Sequence, residues 1–137
     1  MRDELLGEFA LDDSALTLTV ATEDTSVKLN VRLEGATVAE AISTARFIVE
    51  TLTERLGQAR KELVREVLPI VNAGYLDPGE PPLSPEEFLR RAKLRGLSAD
   101  VDGNTSFHFD DDDMLWGHRL VVDCDRDGLK WGAGVFG

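Results

Sequence analysis

Residues 15–56 read ALTLTVATEDTSVKLNVRLEGATVAEAISTARFIVETLTERL, and the period of the apolar residues changes within that stretch. Leu16, Leu18 and Val20 alternate with Thr17 and Thr19, the spacing of a strand with one face against a core. Val27, Leu29, Val31 and Leu33 repeat the pattern, with Lys28, Asn30 and Arg32 facing the other way. The polar link Thr22 to Thr25 is short enough to join the two runs as an antiparallel hairpin, and Phe9 with Leu11 adds a candidate strand before it. After Gly35 the spacing becomes helical. Thr37 and Glu40 make a capping box, and Val38, Ala41, Ile42, Ala45, Ile48, Val49, Leu52 and Leu56 fall on one helical face. The stripe goes on through Ala59, Leu63, Val67, Ile70 and Val71. As one rod, residues 37–72 would reach about 50 Å, long for a domain of this size. A break is therefore expected near Gly57 and a second bend at Pro69.

Downstream, Gly74, Pro78, Gly79, Pro81 and Pro82 mark residues 72–83 as a loop. Ser84, Pro85 and Glu87 then supply a cap, a first-turn proline and a capping-box glutamate for a short helix to about Leu94, with Phe88, Leu89 and Ala92 inside. Alternation returns at Leu97, Ala99 and Val101, at Phe107 and Phe109, at Leu120 and Val122, and at Leu129, Trp131, Ala133 and Val135. Asp102-Gly103-Asn104, Asp110 to Asp113 and Asp125 to Gly128 separate these runs as turns. The reading is a single α+β domain over residues 1–137. Its antiparallel sheet comprises the N-terminal hairpin and a C-terminal four-stranded meander, packed against a helical layer.

Fifteen Lys and Arg against 26 Asp and Glu give a net charge of −11. Such a surface repels phosphate backbones and anionic lipid, so nucleic acid and membrane are not expected partners; a basic protein is. The oligomeric state is open, with a dimer allowed if part of the helical stripe stays uncovered. No apolar run has the length of a signal peptide or a membrane span, and the single Cys124 cannot form an internal disulfide. These features point to the cytoplasm. No cofactor motif is present, and none is expected.

Polar groups of possible chemical use crowd between Phe107 and Gly128. Asp123, Asp125, Asp127 and Gly128 open like a calcium loop, but the twelfth position is Gly134, and a hairpin turn explains the same residues. His108, Asp110, Asp112 and His118 are candidate ligands for a metal, which would make the chain a metal-dependent enzyme or a metal-binding domain. A solvated acidic hairpin tip is the competing account of Asp110 to Asp113. Trp116, Gly117 and His118, with Asp110 and Asp112, are the candidate binding residues. Alternatively Trp116-Gly117-His118 is a structural corner, with the imidazole on a backbone group and Trp116 mostly buried. Cys124 lacks a paired base, and its aspartate neighbours disfavour a thiolate. Nothing here assembles into a catalytic set.

The pattern Phe107-x-Phe109, an acidic turn, Leu115-Trp116-Gly117-His118, then Asp125-x-Asp127-Gly128 and an end at Gly137 resembles a bacterial family catalogued as a domain of unknown function. The resemblance extends upstream through Leu83-Ser84-Pro85-Glu86-Glu87-Phe88-Leu89 to the helix ending at Asn72. It implies bacterial origin and an α+β domain, and it supplies no catalytic residues. Similar acidic hairpin motifs occur in small proteins discussed as toxin-immunity proteins. The expected function is accordingly that of an acidic interaction protein, immunity-like in covering a basic toxin surface; the metal-dependent alternative stands beside it.

Overall fold

The computed structural model describes residues 1–23 and 25–136. Asp24 of the hairpin link and Gly137, where the family resemblance ends, lie outside the described residues. In chain order the elements are β1 (Arg2–Asp3), β2 (Gly7–Leu11), β3 (Ala15–Ala21), β4 (Ser26–Arg32), α1 (Val38–Glu66), α2 (Leu68–Gly74) and α3 (Pro85–Arg91). These are followed by β5 (Leu94–Asp100), β6 (Thr105–Phe109), β7 (Arg119–Cys124) and β8 (Trp131–Phe136). The strands form one sheet in sequential order, so the α+β class holds.

An all-antiparallel sheet was expected, and here the structure differs: β4 and β5 run parallel, with Lys28 beside Gly96 and Arg32 beside Asp100. The other neighbouring pairs are antiparallel. The reason lies in the crossover. The helices carry the chain back along the sheet before β5 begins, so β5 repeats the direction of β4.

The expected break at Gly57 is absent, and α1 runs 29 residues without interruption. Gly57 sits on the exposed side, where it costs about 1 kcal/mol against alanine. Burial of Ala45, Ile48, Leu52, Leu56, Ala59 and Leu63 on the opposite side outweighs that cost. The helix changes course at Val67, which donates to Leu63 O at 2.8 Å and then starts α2. Pro69 has no N–H to continue the ladder, so the break falls just before it. Two smaller expectations also shift. The third helix ends at Arg91 and Leu94 already belongs to β5, while Leu129 lies in the β7–β8 turn, 81% exposed.

Leu16, Leu29, Val31, Phe107, Leu120 and Val122 face the helices and are fully buried. Ala41, Ala45 and Ala59 of α1 are buried with them, and small side chains there let helix and sheet approach closely. The other sheet face carries Thr17, Thr19, Lys28, Asn30, Ser98, Ser106, His108 and Asp123. Binary alternation thus places one face inward and leaves a polar face outward.

Candidate interaction corner

The chain leaves β6 at Phe109 and re-enters the sheet at Arg119, and the connection is built around Asp111. This aspartate is buried, only 4% exposed. Its carboxylate accepts from the backbone N–H of Asp113 at 3.1 Å, Leu115 at 3.2 Å and Gly117 at 2.8 Å. Four residues of the loop take left-handed backbone conformations: Asp112 (φ 47°), Asp113 (φ 59°), Trp116 (φ 58°) and Gly117 (φ 87°). Aspartate and glycine tolerate that region, whereas a tryptophan there is strained by steric contact of its Cβ. Met114 and Leu115 point inward and are buried, anchoring the loop on the core.

Two arginines tie the loop to its neighbours. Arg91, in the last turn of α3, donates to the Asp112 carboxylate at 2.8 Å and to its carbonyl at 2.7 Å. Arg95 donates to Asp110 at 2.7 Å, and this bond is the main reason the Asp110 carboxyl titrates below the ordinary aspartate range. His118 Nδ1 hydrogen bonds the Leu115 carbonyl. The imidazole therefore serves the backbone, as a corner requires. The indole does not follow the same expectation: Trp116 is 70% exposed. Its ring centre lies 4.6 Å from that of Tyr75, tilted by 54°, so the end of α2 supports one side of the indole.

His108 stands apart, on the outer sheet face, with Nε2 2.9 Å from Ser98 Oγ. Asp110 and Asp112 are engaged by Arg95 and Arg91, and His118 by Leu115. The four candidate metal ligands are thus held by separate partners. No group of three or more His, Cys, Asp or Glu among the described residues is arranged to hold a metal. At the next turn, the Asp125 carboxylate accepts from Leu129 N at 2.9 Å and Lys130 N at 3.2 Å, which makes that segment a hairpin turn. A groove of about 680 Å³ lies elsewhere, between α1 and this turn, lined by Glu54, Arg55, Lys61 and Asp127 among others. Arg55 closes its floor by donating to the carbonyls of Asp125 at 3.1 Å and Arg126 at 2.6 Å. Buried Cys124 adjoins Arg55, and desolvation pushes its thiol pKa up despite that cation.

Partial burial, with a smaller contribution from Arg119, pushes the His108 pKa below 6.5, against the pull of Asp123. In the unfolded chain the imidazole takes up its proton first, so folding is penalised as pH falls below about 6.5. The lowered carboxyls lose their contribution only as pH falls through their ordinary values, 3.8 for Asp110 and Asp125 and 4.5 for Glu87, all below pH 5. Between pH 7 and pH 5 the wild-type urea midpoint should therefore fall, and His108→Gln should flatten that slope. Equal slopes for the two proteins would contradict the assignment.

Residues 3–134 match the model of a family described as uncharacterised proteins conserved in bacteria, DUF2262. The chain belongs to that family. The DUF2262 match includes the whole connection from Asp110 to His118. No curated protein and no solved structure matches the chain. Within this DUF2262 domain, the corner depends on residues that pattern reading passes over, namely Asp111, Tyr75, Arg91 and Arg95. Asp111 sits inside a run of four aspartates that reads as uniformly solvated. A signal for it did exist. An aspartate followed by a glycine six residues on, with bulky apolar residues between, can gather the N–H groups of a tight loop.

Proposed function

We propose that this DUF2262 protein is a small cytoplasmic interaction protein that binds a basic protein partner through the Asp110–His118 corner, in the manner of a toxin-immunity protein. The observation that carries the reading is Trp116, exposed yet held in one strained conformation. Leaving an indole in water forgoes about 2–3 kcal/mol of burial, and the left-handed backbone costs on the order of 1 kcal/mol more. The Asp111 hydrogen bonds, the arginine ties and the Met114–Leu115 anchor supply the compensation. A projecting tryptophan is, with tyrosine and arginine, among the side chains enriched at the energetic centre of protein interfaces. Asp112 and Asp113 lie exposed beside it, and the chain's −11 charge steers a basic surface toward it. Among the described residues, no helix is long and apolar enough to cross a membrane.

The test is capture from bacterial extract on immobilised wild type, Trp116→Ala and a remote control, Glu54→Gln. Wild type and control should retain a discrete basic protein, released as salt rises, and Trp116→Ala should lose it. That substitution should change folding stability by no more than about 1 kcal/mol, since it removes an exposed ring and one aromatic contact. Retention unaffected by Trp116→Ala would overturn the proposal.

A further inference from the structure

The two edges of the sheet are finished differently. β1 is two charged residues long: Arg2 pairs with Glu8 at 3.1 Å and Asp3 pairs with Arg46. A short charged edge rejects a further strand. β8, at the other edge, reads Trp-Gly-Ala-Gly-Val-Phe, without charge or proline. Its register with β7 is unbroken from Cys124 beside Trp131 to Arg119 beside Phe136. Asp125 N donates to Lys130 O at 3.2 Å. Antiparallel ladders alternate, so Gly132, Gly134 and Phe136 direct their peptide groups to β7. Trp131, Ala133 and Val135 direct theirs outward, where no strand among the described residues meets them.

We propose that a second copy of this chain occupies that edge, β8 against β8 in antiparallel pairing about a two-fold axis beside Ala133. An axis there pairs the strand with itself over its greatest length, whereas axes at Trp131 or Val135 leave most of it unpaired. Ala133 faces its own copy, and Trp131 faces Val135, giving about six new backbone hydrogen bonds. On the outer face, Gly132 lies opposite Gly134 of the other copy, so no side chain obstructs the approach. Lys130, the only charged residue in the self-paired stretch 130–136, comes opposite Phe136 of the other copy. No like charges oppose one another in the new ladder, and each lysine gains an aromatic neighbour. Phe136 is 47% exposed and its ring folds back over Gly134, so an apolar patch lies along the seam. A self-complementary strand closes as a dimer and leaves the protected β1 edges at both ends of a continuous sheet.

Sedimentation equilibrium of the wild-type chain at about 10–200 µM, a range that spans micromolar dissociation constants, should give twice the 15.1 kDa chain mass. Ala133→Pro removes an outward N–H at the axis and should return the mass to that of one chain with the circular dichroism unchanged. The double variant Gly132→Cys, Gly134→Cys should cross-link under mild oxidation, because these positions face each other only between copies and Cys124 is buried. If Ala133→Pro fails to fold, the cross-link decides. A monomer throughout the range would overturn the proposal and leave the edge to an extended segment of another protein. A dimer that neither responds to Ala133→Pro nor cross-links would overturn it equally. Trp116→Ala should leave the dimer intact, which keeps this test separate from that of the corner.

Discussion

Replacing Asp111 with alanine is expected to cost roughly 2–4 kcal/mol of folding stability, read from the urea midpoint. The carboxylate is buried and accepts three backbone N–H groups of its own loop. Without it the buried Leu115 N has no replacement acceptor and lies too deep for water to serve, whereas the Asp113 and Gly117 N–H groups lie at exposed residues and can turn to solvent. The left-handed residues Asp113 and Gly117 would then lose their bonds to the carboxylate, and Trp116 between Leu115 and Gly117 would lose the support on both sides. Asp113→Asn provides the control: Asp113 is exposed, asparagine accepts the same backbone conformation, and the change should stay within about 0.5 kcal/mol. A cost below 1 kcal/mol for Asp111→Ala would mean that the loop is organised by its apolar anchor alone.

Phe88→Ala should be the most damaging change in the helical layer, at about 3–5 kcal/mol. Phe88 is fully buried and is the one buried residue of α3, a seven-residue helix with a capping box at Ser84 and Glu87. A helix of that length does not persist by propensity; it forms because Phe88 docks. Arg91 leaves the same helix to hold Asp112, so undocking Phe88 should loosen the corner as well. Amide exchange at residues 111–118 should accelerate in Phe88→Ala and recover largely in Phe88→Leu. Unchanged exchange there would show that the corner stands without α3.

The sequence made the strands legible because alternation and burial are the same fact seen twice: Leu16, Leu18 and Val20 face in, as do Phe107 and Phe109. Capping chemistry likewise located both helix starts, at Thr37 and Ser84. The continuity of α1 was harder to read, because glycine's cost is local and the stripe that outweighs it is distributed along the helix. Strand direction was illegible for a different reason. Nothing in β5 itself distinguishes a parallel from an antiparallel neighbour; the length and course of the crossover decide it. At the candidate site the fragment Trp116-Gly117-His118 was visible, but its geometry was not. Four consecutive aspartates look alike in sequence, and only the turn of the chain buries Asp111 and leaves Asp112 and Asp113 in water.

The parallel contact between β4 and β5 also bears on how the chain assembles. Every other strand pairing joins neighbours in sequence through a short connection, whereas Lys28 meets Gly96 only after the whole helical segment has been traversed. Closing so long a loop costs about 2 kcal/mol more in chain entropy than closing a tight hairpin. The antiparallel ladders on either side can form from local contacts alone. The rate at which the finished sheet appears is therefore expected to be set by closing the one long-range contact between β4 and β5 rather than by the local ladders on either side of it.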